Sequence, residues 1–72
     1  MLTFHYKEGT VQIDADSAGL RKLIGVLEKL LKDGPSHMHL CQPPRGHELD
    51  EVNPWGEQSL SEVIINNVGD ED

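Results

Sequence analysis

Three side chains with metal-binding or nucleophilic chemistry occupy alternate positions of one short segment. The segment Ser-His-Met-His-Leu-Cys places His37, His39 and Cys41 two residues apart. Alternate residues of a β-strand point to the same side of the sheet, so these three would share one face and the apolar residues the other. Imidazole and thiolate groups bind zinc well, and His5 from another strand could complete such a site.

Two further observations argue against a metal site or a catalytic site. The spacing matches no compact zinc-finger signature, and the chain has one cysteine. We therefore predict no metal and no cofactor, and we keep a metal-binding or regulatory module built on His37, His39 and Cys41 as the alternative. Cys41 and His39 could also act as nucleophile and base, but no orienting group or oxyanion site is recognisable. We predict that the protein is not an enzyme.

A polar connection late in the chain carries the only tryptophan, Trp55, among four acidic residues. Tryptophan is enriched at the energetic centres of protein interfaces. Trp55 could instead fold back and close one end of the core. An aromatic anchor surrounded by carboxylates suits a basic protein partner. The predicted partner-binding residues are Glu48, Asp50, Glu51, Trp55, Glu57, His37 and His39.

The net charge of −7 is unevenly distributed along the chain. The stretch 17–33 has four basic and two acidic residues, a net of +2, and the remaining residues have two basic and eleven acidic, a net of −9. Phosphate backbones require clustered Lys and Arg, so we predict no nucleic-acid partner. Complementary charge favours a basic protein partner. A simple contribution to solubility is the other interpretation.

Targeting signals and membrane segments are not evident in the sequence. Residues 23–31 form the most apolar segment, and Gly25, Glu28 and Lys29 interrupt it. A membrane-spanning helix needs about 20 apolar residues, so we predict no membrane association. The single cysteine and the lack of a recognisable signal peptide lead to the expectation of a cytoplasmic protein.

Apolar periodicity predicts the elements that must position these groups. In order, they are strands over 2–7 and 10–15, a helix over 17–33, and strands over 36–42 and 59–68. Asp16 or Ser17 can cap the helix at its start, and Gly34 followed by Pro35 can end it. The short turn between the first two strands implies an antiparallel hairpin.

These elements predict one α+β domain over 1–68, followed by an acidic disordered tail over 69–72. The expected architecture is a four-stranded antiparallel sheet with one helix packed on one face, and the strand order stays open. A chain this small buries little surface, so dimerisation through the open sheet face is a further hypothesis. The expected core consists of Leu2, Phe4, Tyr6, Val11, Ile13, Leu20, Leu23, Ile24, Leu27, Leu30, Met38, Leu40 and either Val63 with Ile65 or Ile64.

Three segments carry a resemblance to a known family. Within residues 4–68 these segments are a leucine-rich helix over 20–31, a strand with the sequence Ser-His-Met-His-Leu over 36–40, and a strand with the sequence Ser-Glu-Val-Ile-Ile over 61–65. In these segments the chain resembles the bacterial immunity protein 32 family of polymorphic toxin systems. The resemblance implies a non-enzymatic protein that binds and neutralises a cognate toxin.

Overall fold

The computed structural model describes residues 1–70, which form a small α+β fold. Its elements are β1 (Leu2–Lys7), β2 (Thr10–Ala15), α1 (Ser17–Asp33), β3 (Ser36–Cys41) and β4 (Glu62–Asn67). The five predicted elements are confirmed, although β3 ends one residue earlier than expected and β4 is shorter at both ends. Residues 71–72 of the predicted tail lie outside the described residues.

The strands form two separate two-stranded antiparallel sheets, so the prediction of a single four-stranded sheet was wrong. β1 pairs with β2, and β3 pairs with β4. The long connection between β3 and β4 supplies the physical reason. The N–H of Asp50 donates to the carbonyl of Leu2 at 2.9 Å, and the N–H of Leu60 donates to the carbonyl of Phe4 at 2.8 Å. These bonds use the edge of β1 that another strand would need.

Helix α1 is defined at both ends by the expected chemistry. Asp16 is the cap, since its Oδ1 accepts a hydrogen bond from the N–H of Gly19 at 2.8 Å. Gly34 follows the last turn with a φ of 79°, a conformation that glycine adopts readily. Gly19 also lies against the backbone carbonyl of Met1, where any Cβ would collide. Within residues 1–70 no helix has the length and apolar character needed to cross a membrane.

The core lies between α1, the start of β1, the end of β3 and the long connection. Its buried residues are Leu2, Phe4, Val26, Leu30, Leu40 and Leu49. On β4, Val63 and Ile65 pack against this cluster while Ile64 is exposed. Of the two orientations that the sequence allows for β4, the structure has the one in which Val63 and Ile65 face the core.

Six residues of the expected core are exposed, and this is a correction to the sequence prediction. They are Tyr6, Val11, Ile13, Leu20, Ile24 and Leu27. The buried face of the helix consists of Gly19, Leu23, Val26 and Leu30. It is offset by one residue, or about 100° of rotation, from the exposed apolar face of the same helix. Leu49 of the long connection lies in the core, where we expected residues of the helix and the first hairpin.

Candidate partner-binding surface

Part of the long connection folds into a small hairpin over residues 51–59, here called the Trp55 hairpin. Val52 pairs with Gln58 as an isolated antiparallel bridge, and the N–H of Ser59 donates to the carbonyl of Glu51 at 3.0 Å. The tip has the sequence Asn-Pro-Trp-Gly, in which Asn, Pro and Gly favour tight turns. The hairpin therefore presents Trp55 from a defined turn.

Asn53 holds this turn together. Its side-chain oxygen accepts hydrogen bonds from the N–H of Trp55 at 3.1 Å and from the N–H of Glu57 at 2.9 Å. Its amide nitrogen donates to Glu57 Oε1 at 3.0 Å and to Asp14 Oδ2 at 3.4 Å. Asn53 is only 3% exposed. A buried side chain that bonds to the backbone N–H groups of Trp55 and Glu57 fixes the position from which the indole projects.

The side chain of Trp55 projects into solvent. It is 69% exposed, and Val52 on the same hairpin is also exposed. Trp55 thus does not close the core, which was one of the two interpretations of the sequence. A large apolar side chain held outside the fold has the form of an interface anchor.

The Trp55 hairpin rests on the polar face of β1 and β2. His5 Nδ1 lies 3.2 Å from the carbonyl oxygen of Gln58. His5 Nε2 lies 3.4 Å from Glu57 Oε2, within ion-pair distance but without the alignment of a hydrogen bond. Next to the pair, the Thr3 hydroxyl is 3.5 Å from Asp14 Oδ2. The sheet face that was expected to be open is covered here by the chain's own connection.

Two of the predicted binding acids bond to the backbone of the fold. Asp50 Oδ2 accepts a hydrogen bond from the N–H of Leu2 at 2.9 Å. Glu48 Oε2 lies 3.5 Å from the N–H of Cys41. Hydrogen bonds from its own N–H, and then from the N–H of Cys41, lower the pKa of Glu48. Glu51 and Glu57 are exposed acids on the Trp55 hairpin, and Glu57 also bonds to Asn53.

The histidines and the cysteine form a second group, on the β3–β4 sheet. Glu62 Oε2 lies 3.0 Å from His39 Nδ1, 3.0 Å from Arg45 Nη2 and 3.5 Å from Cys41 Sγ. His37 packs edge-on against His39 with ring centroids 5.0 Å apart. The three predicted residues do share one strand face, and the carboxylate of Glu62 on β4 bonds to two of them, His39 and Cys41.

The protonation states of this group follow from those contacts. The hydrogen bond from His39, and then that from Cys41, lowers the pKa of the Glu62 carboxyl. Burial, and then the hydrogen bond to Glu62, raises the pKa of the Cys41 thiol. A raised pKa keeps the thiol protonated, whereas a nucleophilic or metal-binding cysteine needs its thiolate. Among the residues that the structure describes, no group of three or more His, Cys, Asp or Glu is arranged to hold a metal ion.

Asn53, Arg45 and Glu62 are the residues that sequence reasoning missed. Asn-Pro is a turn signal that could have marked Asn53. Glu62 stands opposite Cys41 only because of the strand register, which no local pattern reveals. The predicted site residues therefore fall into two groups, the Trp55 hairpin and the Glu62 cluster.

No protein-family model, curated protein or solved structure matches this chain. The resemblance to the immunity protein 32 family thus stays a hypothesis, and the surface geometry carries the functional argument.

Proposed function

We propose that this chain is a non-enzymatic protein-binding module and that its partner, a cognate bacterial toxin domain with a basic surface, docks on the Trp55 hairpin. The observation that carries the proposal is the exposed indole of Trp55, presented by a turn that buried Asn53 holds in place. The identity of the partner as a toxin comes from the family resemblance alone.

A fixed anchor favours tight binding for an entropic reason. Ordering a flexible side chain or loop costs free energy during association, and a turn that is already ordered avoids much of that cost. The bonds from Asn53 to Trp55 and Glu57 order the turn before any partner arrives. Val52 is a second exposed apolar side chain on the same hairpin and adds to the surface that a partner can cover.

The acidic residues around Trp55 indicate that the partner has a basic surface. Glu51 and Glu57 stand on the same hairpin as Trp55, and the residues outside 17–33 carry a net charge of −9. Negative potential around an apolar anchor attracts a positively charged surface and raises the rate of encounter. The indole itself also offers a face for cation–π contact with Lys or Arg.

The Glu62 cluster supports a structural role for the histidines and the cysteine. Cys41 is buried, its thiol pKa is raised, and it bonds to a carboxylate that His39 and Arg45 also contact. These features favour a protonated, unreactive thiol. The metal-binding alternative gains no observation in its favour from this arrangement.

The direct test is binding kinetics against the toxin domain encoded beside this chain's gene. Trp55→Ala should weaken binding by about 2 kcal/mol or more, close to thirtyfold, mainly through faster dissociation. Tyr6→Ala is the matched control, because Tyr6 is also an exposed aromatic residue but lies on the face of β1 opposite to His5. That variant should bind as the unmodified protein does.

Charge reversal tests the second part of the proposal. Glu51→Lys should slow association and reduce its dependence on salt, while dissociation changes little. Asp50 is not a suitable position for this test, because its carboxylate holds the start of β1. Equal binding by folded Trp55→Ala and Tyr6→Ala would refute the proposed surface, and a toxin domain that does not bind would refute the proposed function.

A further inference from the structure

One face of α1 keeps an apolar row that the fold does not use. Leu20, Ile24, Leu27 and Leu31, here called the outer stripe, are each about half exposed or more. Single exposed apolar residues are ordinary on protein surfaces, but a contiguous row is typical of an interaction site. The outer stripe spans residues 20–31 of the 17-residue helix, a length of about 17 Å.

The spacing of the outer stripe is that of a helix-pairing seam. Its members are separated by four, three and four residues, as the a and d positions of a coiled coil are. Beside its C-terminal half, Leu27 and Leu31 border a groove of about 320 Å³ that Ile65 and Val68 line on the other side. The seam therefore has both projecting side chains and an apolar recess beside them.

Charged residues along the seam indicate which helix can pair with it. Arg21 and Glu28 both lie on the side of the outer stripe away from the core, seven residues apart. If two copies of α1 pack antiparallel about a two-fold axis, Arg21 of each copy meets Glu28 of the other. The surface is thus complementary to itself, as a two-fold interface requires.

The overall charge distribution disfavours a basic protein partner at this face. Each chain carries −7, while the stretch 17–33 carries +2. Two copies that meet through α1 keep their acidic regions apart, and a basic partner gains little attraction there.

We infer that two copies of this protein associate through an antiparallel pairing of α1, with the outer stripes as the apolar seam and two reciprocal Arg21–Glu28 ion pairs at its border. One helix face per copy is smaller than the standard footprint of about 800 Å² per partner, so the dimer is a weak one, with a Kd of about 100 µM. The proposed dimer does not depend on the function proposed for the Trp55 hairpin.

Sedimentation equilibrium of the full chain, from about 1 µM to about 1 mM, measures the dimer directly. Arg21→Glu and Glu28→Arg each place like charges across the seam twice and should weaken dimerisation about five- to tenfold. The double variant exchanges the two charges, so its affinity should return to that of the unmodified protein. Lys29→Glu makes the same charge change as Arg21→Glu on the opposite flank of the helix and is the matched control.

A second variant tests the apolar seam. Ile24→Asp puts a carboxylate into the middle of the outer stripe and should abolish dimerisation over this concentration range, with the helical circular dichroism retained. Trp55→Ala should leave dimerisation unchanged, which separates this test from that of the proposed function.

Three outcomes would overturn the inference. They are a monomer at the highest concentration, a dimer that survives Ile24→Asp, and equal effects of Arg21→Glu and Lys29→Glu. Failure of the double variant to recover affinity would refute the antiparallel charge pairing specifically.

Discussion

Two leucines three residues apart on α1 give the sharpest test of the packing. Leu30 is 4% exposed within the core, and Leu27 is 47% exposed on the outer stripe. The sequence pattern predicts that both are buried, since both belong to the apolar periodicity of the helix. Truncation of each to alanine makes the same chemical change in the same helix, so any difference in stability reflects tertiary packing.

The expected magnitudes follow from the burial of each side chain. Leu30→Ala removes a buried side chain and leaves a cavity among its neighbours, at a cost of about 2–5 kcal/mol in the free energy of unfolding. Its backbone carbonyl keeps the hydrogen bond from Asn67 Nδ2 at 2.8 Å, so the loss isolates side-chain packing. Leu27→Ala removes about half as much buried area and leaves no enclosed cavity, at a cost of about 1 kcal/mol.

These losses are large for a chain of this size. A 72-residue domain is stable by about 4–11 kcal/mol, so Leu30→Ala alone can remove half of that stability. The measurement is urea unfolding at equilibrium, followed by circular dichroism at about 1 µM, a concentration chosen to keep the protein monomeric. A repeat at a hundredfold higher concentration should increase the cost of Leu27→Ala only, because dimerisation adds stability that depends on the outer stripe.

Equal costs of Leu27→Ala and Leu30→Ala at the low concentration would refute the assignment of only Leu30 to the core. That result would mean that the outer stripe is buried within the monomer. Equal small losses at both positions would instead mean that the core does not lie where the structure places it.

Three further predictions concern single contacts. Gly19→Ala should lower the free energy of unfolding by about 1–3 kcal/mol in urea melts, because the added Cβ meets the carbonyl of Met1; an unchanged midpoint would contradict that close approach. Asn53→Ala should cost about 1–3 kcal/mol and should also increase the mobility of Trp55, measured as a drop in fluorescence anisotropy. Glu62 has a lowered pKa when folded, so its contribution to stability is complete above the unfolded pKa of about 4.3 and is lost as the pH falls through the folded pKa. Glu62→Gln should therefore flatten the acid side of the stability profile, and a profile that keeps its slope would show that other carboxylates set it.

The elements of this protein could be predicted from local signals. Alternation in residues 2–15 indicates the hairpin, the leucine spacing indicates α1, and Asp16 and Gly34 set the bounds of the helix through capping chemistry. The shared face of His37, His39 and Cys41 follows from the period of a strand. Each of these signals depends on neighbours in the sequence, which is why the sequence alone contains them.

The site depends on contacts between distant residues, and there the sequence was insufficient. Asp50 bonds to Leu2 across 48 positions, and this contact gives a predicted binding acid a structural role. Glu62 reaches His39 and Cys41 through the register of β3 and β4, which converts a potential metal or nucleophile cluster into a hydrogen-bonded group.

The sequence by itself determined which segments are helix or strand, where α1 begins and ends, and that Trp55 stands in an acidic connection. The tertiary structure decided which apolar stripe of α1 is buried, that the strands form two sheets, and that Trp55 is exposed. The physical reason is that several segments could fill the free edge of β1 and the core, but each has room for only one of them. The long connection hydrogen-bonds to the free edge of β1 and places Leu49 in the core. Periodicity describes how apolar a face is, but only the packed chain determines which face has something to pack against.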